Sequence, residues 1–76
     1  MIIKGRIDID HREAPYSKKL LELPDDYLVD RFLLMISGPC EGMFRNIRHS
    51  SNGLMYLTLT FPQLLGKGSK YIIIID

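Results

Sequence analysis

The run Asp8-Ile9-Asp10-His11 places two carboxylates and an imidazole close together in the sequence. If this run is part of a strand, alternation puts Asp8 and Asp10 on one face, about 6.6–7 Å apart along the strand. A divalent cation could bridge them, but it usually takes further ligands, and the only other acid pair is Asp25-Asp26. We therefore interpret the run as the polar face of an edge strand and predict no metal site.

Two other motifs resemble catalytic elements but favour ordinary structural roles. Cys40 follows Gly38-Pro39, and a nucleophilic cysteine needs a nearby base and a lowered pKa; nothing in the sequence places either histidine beside it. Gly66-Lys67-Gly68-Ser69 lacks the residue order of a phosphate loop, and no helical pattern follows it. We expect a structural thiol and a hairpin loop, no catalytic residues and no cofactor, and the sequence leans away from an enzyme.

The basic residues of the second half are the stronger signal. Residues 39–76 carry four basic and two acidic groups, and no acid lies between Glu41 and Asp76. If the predicted hairpin and the last loop are neighbours, these cations form a patch that attracts a polyanion, and an exposed strand tyrosine can stack on a base. The net charge of +1 keeps such a patch local. The candidate nucleic-acid contacts are Arg45, Arg48, Tyr56, Lys67 and Lys70.

Composition indicates one folded domain over residues 1–76. The chain is 46% hydrophobic and 25% charged, which is typical of a globular protein. It has no run of 18 apolar residues and no apolar stretch of signal-peptide type near Met1. With a single cysteine as well, we expect a cytoplasmic protein.

The elements that must position these residues are clearest at the two ends of the chain. Residues 2–10 alternate, which predicts a half-buried strand with Ile3, Ile7 and Ile9 on the inner face. Residues 17–23 could form two helical turns. Residues 24–36 combine helical spacing with an apolar run from Phe32 to Ile36, so periodicity leaves helix and strand equally open there.

The C-terminal half predicts three strands. Met43 to His49 could form one, Asn52-Gly53 is a strong hairpin signal, and Leu54 to Phe61 alternates with Leu59 and Phe61 on the apolar face. The segment 71–75 is apolar on both faces, so it should be central or covered. We predict an α+β fold: a small, mostly antiparallel sheet or an SH3-like barrel of three to five strands, with one or two short helices.

The segment Ser37-Gly38-Pro39-Cys40-Glu41-Gly42-Met43 resembles the start of a KOW module, the small SH3-like barrel of NusG-type transcription elongation factors and ribosomal proteins. Gly38 and Gly42 match the turn glycines, and the resemblance covers about residues 31–76. Arg45 stands where the family usually has a further glycine. The resemblance implies a transcription-regulation role, with binding to RNA, the ribosome or RNA polymerase rather than catalysis.

The predicted element order also looks like that of RelE-superfamily ribonuclease toxins. Leu20-Leu21-Glu22-Leu23-Pro24 is similar to their helix-linking turn, and Gly42 to Arg48 is similar to their second strand. That resemblance implies ribosome-dependent mRNA cleavage, with Arg45, Arg48 and Tyr56 near the RNA. The chain lacks the basic or aromatic residues usual after the last strand in these toxins.

A third hypothesis needs no family. Small, nearly neutral domains often act only by binding another protein, as phage- and plasmid-type inhibitors and adaptors do. The edge of a small sheet offers a surface for such a partner, and a homodimer would also cover that edge. The sequence predicts no membrane partner.

Overall fold

The structure is a computed structural model, and it describes residues 1–75. These residues form five strands and one short 3₁₀ helix. The strands are β1 (Ile2–Arg6), β2 (Phe32–Met35), β3 (Phe44–Ser51), β4 (Leu54–Leu57) and β5 (Lys70–Ile74), and the 3₁₀ helix is Lys18–Leu20. The strands make one antiparallel sheet in the order β1-β5-β2-β3-β4.

The strand β5 is hydrogen-bonded on both sides. Ile74 lies opposite Ile2 of β1, and Ile73 lies opposite Leu33 of β2. The apolar segment at 71–75 is therefore central in the sheet, as its composition predicts, because an interior strand has a partner for every backbone N–H and C=O group.

The sheet curls into a half-barrel, and the connection after β1 lies across its opening. Ile9 and Tyr16 form a bridge, and Tyr16 forms a second bridge with Leu54 of β4. The amides of Met55 and Leu57 donate to carbonyls of residues 15 and 13, at 3.0 and 2.9 Å. Residues 12–17 therefore occupy the outer edge of β4.

The concave side of the half-barrel holds the core. Leu33, Met35, Ile47 and Ile73 are fully buried there. The other buried apolar residues are Ile7, Leu20, Leu28, Cys40, Met55, Leu57, Phe61, Leu65, Tyr71 and Ile75.

Two residues predicted to lie on inner faces are instead exposed. Ile9 is 61% exposed and Leu59 is 69% exposed, so the inner-face assignment is wrong for both. The regular strands end earlier than the alternation in sequence does, at Arg6 and at Leu57. Beyond those points the backbone bonds to loop segments, and strict alternation no longer decides which side chain is inside.

The α+β prediction is not confirmed, because residues 1–75 contain almost no helix. The helix expected over residues 17–23 is reduced to the 3₁₀ turn. In the segment left open between helix and strand, β2 forms at its end, and the part before β2 folds as turns. The amides of Asp26 and Asp30 donate to carbonyls of Ser50 and Ile47 in β3, so they are not available for helical bonds. No helix in residues 1–75 is long and apolar enough to cross a membrane.

The predicted hairpin at Asn52-Gly53 is confirmed. Both residues have positive φ, 50° and 84°, which matches the two-residue turn that connects twisted strands. Between Ile47 and His49 the register shifts by one residue. This bulge leaves Arg48 without a directly opposite residue on β4, and it changes the direction of the side chains around the candidate site.

The pair Gly5 and Tyr71 ties β1 to β5 on the inner face. A Cβ atom at residue 5 would lie 2.5 Å from the Tyr71 hydroxyl, so only glycine leaves room for this ring. The Tyr71 hydroxyl donates to Ser17 Oγ at 2.7 Å, and that hydroxyl donates to the Arg6 carbonyl at 2.9 Å. A buried polar chain therefore joins the two strands to the start of the 3₁₀ helix.

Candidate nucleic-acid interface

Arg45 is anchored at one end of β3. Its Nε donates to the Thr60 carbonyl at 3.2 Å, and an Nη donates to the Phe44 carbonyl at 2.8 Å. The guanidinium carbon lies 4.9 Å from the centroid of the buried Phe61 ring. These contacts hold the side chain in place and leave part of its donor set for a ligand, because a guanidinium has five N–H groups.

Arg48 and Tyr56 are brought together, as the predicted patch requires. The guanidinium carbon lies 5.6 Å from the Tyr56 ring centroid, and Nε donates to the Leu57 carbonyl at 3.3 Å. The imidazole of His49 lies on the same ring, with centroids 5.0 Å apart and planes inclined by 35°. The ring of Tyr56 thus has a cation and a second ring beside it.

His49 has a carboxylate partner that the sequence did not predict. Its Nδ1 contacts the Asp26 carboxylate, and the same carboxylate accepts from the Ser50 amide at 3.1 Å. The hydrogen bond from Ser50, with His49 as a weaker cause, lowers the pKa of Asp26 below its usual range. Asp26 therefore remains an anion and orients the imidazole.

The two candidate lysines are not part of this cluster. Lys67 lies on the exposed turn between β4 and β5, where the glycines on either side of it have positive φ. Lys70 begins β5 and lines a groove formed with β1 and the 3₁₀ helix. The fold therefore divides the predicted patch into separate regions, and only Arg48 and Tyr56 are shown in direct contact.

The groove that contains Lys70 brings four cations together. We call it the basic groove, and its cations are Lys4, Arg6, Lys19 and Lys70. All four are exposed, and none has an ion-pair partner among residues 1–75.

The arrangement within the basic groove brings like charges together. Arg6 and Lys70 lie directly opposite each other on β1 and β5, and such pairs are unfavourable in a sheet. The one carboxylate in the lining, Asp8, accepts from the Lys18 amide at 2.6 Å. That bond fixes the 3₁₀ helix beside β1, so Asp8 positions a cation-bearing turn.

Sequence reasoning missed Lys4, Arg6 and Lys19 because it divided the charge by halves of the chain. The first half contains most of the acids, so its cations are compensated in number. In space, however, β1 pairs with β5. The alternation in sequence places Lys4 and Arg6 on one face of β1, but it does not tell which strand pairs with β1.

Side chains of the Asp8–His11 run accept hydrogen bonds from loop backbone. Both Asp10 carboxylate oxygens accept from backbone amides, those of Leu65 and Gly66, at 2.8 Å each. His11 Nδ1 accepts from the Glu13 and Ala14 amides at 3.2 and 3.1 Å. In residues 1–75 no three His, Cys, Asp or Glu side chains converge in a way that could hold a metal ion.

Cys40 is fully buried in the core. Its Sγ lies 3.6 Å from the Gln63 carbonyl oxygen, and burial raises the pKa of the thiol. A thiol in this setting has little thiolate character, so the geometry favours a packing role.

No family model, no curated protein and no solved structure matches this chain. Its function must therefore be argued from the geometry of the described residues.

Proposed function

We propose that this chain is a small, non-enzymatic RNA-binding module, and that the basic groove is its main phosphate-binding surface. The observation that carries the proposal is the opposed pair of Arg6 and Lys70, flanked by Lys4 and Lys19. A protein gains nothing in stability from opposed cations, whereas a polyanion bound between them would neutralise both. The proposed partner is a single-stranded RNA segment whose backbone follows the groove.

The cluster of Arg48, Tyr56 and His49 is the proposed second contact. Its rings offer a surface for one base, and the Arg48 guanidinium can reach a neighbouring phosphate. Arg45 is the proposed second cation of this region, and Lys67 contributes from its exposed turn. Because Arg45 and Arg48 are already anchored to backbone carbonyls, they would lose little conformational freedom on binding.

The KOW resemblance gives this proposal a biological setting. The segment with the matching glycines forms the connection between β2 and β3, where Gly38 and Gly42 have φ values of 84° and 86°. A curled antiparallel sheet is compatible with an SH3-like barrel. We propose on this basis a cytoplasmic role in association with the ribosome or RNA polymerase.

The test is a titration with fluorescent single-stranded and hairpin RNA at low and at physiological salt. If the four groove cations contact phosphates, the slope of log K against log salt should be about −3 for single strands. The variant Lys4→Ala/Lys70→Ala should reduce this slope by about 1.4. It should not lower stability, because it removes one of two opposed cations.

A control variant matches the charge that is removed. Arg12→Ala/Lys18→Ala also loses two positive charges, but neither side chain lines the basic groove. We expect it to reduce affinity less than the groove variant does. Equal losses of RNA affinity in the two variants would show that binding depends on net charge alone. The absence of RNA binding at low salt would overturn the proposal.

The toxin alternative is decided by the same samples. Its resemblance implies two helices before the last three strands, and within residues 1–75 only the 3₁₀ turn is present. Intact RNA after long incubation with ribosomes would favour the binding module. Cleavage that Arg45→Ala/Arg48→Ala abolishes would instead identify a ribonuclease.

A further inference from the structure

The convex side of the sheet carries exposed and half-buried apolar side chains at adjacent positions. We call this surface the outer patch; its residues are Ile2, Phe32, Leu34, Phe44, Ile72 and Ile74. Across the strands Ile74 lies opposite Ile2, and Ile72 and Phe44 both lie opposite Leu34. The Phe32 and Phe44 rings meet edge to face with centroids 5.6 Å apart. The patch is therefore continuous over four of the five strands.

The exposure of the outer patch is large for a chain of this size. Phe32 is 52% exposed, and Phe44 and Ile74 are each 57% exposed. Four of the six residues are about half exposed, and Leu34 and Ile72 are exposed less. The patch therefore presents on the order of 500 Å² of apolar surface. That is about a tenth of the total surface of 4575 Å², which is the share that a specific interface covers on a small protein.

We infer that the outer patch is the interface of a homodimer in which two sheets pack face to face. The area argument fits a second copy: the patch and a polar rim approach the roughly 800 Å² per partner of a standard interface. A net charge of +1 gives little repulsion between copies. The patch also has both signs at its rim, because Asp30 lines the depression beside Phe32, and Lys4 lies opposite Ile72. In a dimer with twofold symmetry, an acidic rim residue of one copy that meets a basic rim residue of the other forms the same contact twice.

This inference does not depend on RNA binding. The basic groove adjoins the outer patch, because Lys4 and Arg6 share a face of β1 with Ile2. Lys70 likewise shares a face of β5 with Ile72 and Ile74. None of the six residues of the outer patch lines the groove, so it lies at the rim of the proposed interface. A face-to-face dimer would hold two such grooves on one particle.

The test is light scattering on a sizing column, with purified chain and no RNA, over a range from low to high micromolar. We expect the wild-type mass to approach twice 8.8 kDa as concentration rises. Phe44→Thr/Ile74→Thr keeps residues that favour strands and should weaken dimerisation at least tenfold. The matched control Ile9→Thr removes a side chain that is 61% exposed and outside the patch, and it should leave the dimer unchanged.

Two results would overturn the inference. The first is a wild-type chain that stays monomeric at every concentration, and that result needs no variant to be folded. The second is unchanged dimer affinity in the double variant. If the double variant does not fold, unchanged affinity in the single variant Phe44→Thr would have the same meaning. If the wild type is monomeric and Phe44→Thr loses RNA binding, the outer patch is an RNA contact and not a dimer interface.

Discussion

The two faces of β5 carry similar side chains in very different surroundings. On the inner face Tyr71 and Ile73 have no exposed surface, whereas on the outer face Ile74 is 57% exposed. Both faces are apolar, so sequence alone shows a buried strand. The difference teaches that a central strand need not be covered on both sides by its own chain, and that the uncovered side offers an apolar surface to a partner.

The largest contrast is expected between Ile73→Ala and Ile74→Ala. The first removes a fully buried side chain and leaves a cavity, which should lower the free energy of unfolding by about 2–5 kcal/mol. The second removes an exposed side chain and should cost less than about 1 kcal/mol. Urea unfolding at low protein concentration measures both in the monomer. Similar losses would contradict the separation of the two faces.

Gly5→Ala tests the inner face from the neighbouring strand. The added Cβ would meet the Tyr71 hydroxyl at 2.5 Å, and the buried, hydrogen-bonded ring has no free space to enter. We expect a loss of about 1–3 kcal/mol from overpacking, seen as a lower midpoint in thermal unfolding. An unchanged midpoint would mean that the ring can move away and that the inner face is loosely packed.

Tyr71→Phe sharpens the comparison through pH. It removes the hydrogen bond to Ser17, so it should cost about 0.5–1.5 kcal/mol near neutral pH. Burial raises the pKa of Tyr71 above its ordinary value of 10.0. The contribution of the neutral phenol to the free energy of unfolding is therefore fully present below pH 10 and is lost as pH rises. The reason is that the phenol ionises at a lower pH in the unfolded chain than in the folded one.

The measurement is urea unfolding of wild type and Tyr71→Phe from neutral to alkaline pH. The stability difference between the two proteins should narrow above pH 10. A constant difference across that range would show that the phenol is not buried in solution.

The smallest effect is expected at the exposed pair of Asp26 and His49. The pKa of Asp26 is lowered in the folded chain. Its contribution to the free energy of unfolding is therefore present above the ordinary pKa of an aspartate and is lost as pH falls through the lowered pKa. Asp26→Asn keeps a residue that tolerates the positive φ of 60°. It should lower the urea midpoint slightly at neutral pH and reduce the fall of the midpoint toward acidic pH, in a series of urea titrations from neutral to acidic pH.

The sequence predicted local features well and spatial neighbours poorly. The hairpin at Asn52-Gly53 and the central place of residues 71–75 followed from turn chemistry and composition, which act locally. The inner-face assignment of Leu59 was wrong because the strand ends at Leu57, where loop bonds take over.

The candidate site shows the same limit. Arg48 and Tyr56 meet across a hairpin, so their contact follows from the predicted turn. The groove around Lys70 depends on the pairing of β1 with β5, which joins positions more than sixty residues apart. No period or motif in the sequence encodes that pairing.

The position of β5 also affects how the domain is made. This strand lies between β1 and β2 in the sheet, although it is synthesised after the other four strands. Until residues 70–74 leave the ribosome, β1 has no neighbour in the main sheet, and the inner side chains of β2 have an incomplete core. We expect folding to be delayed until these residues emerge, as is typical of pairings between distant parts of a chain. During that interval the nascent chain exposes apolar strands that chaperones can bind.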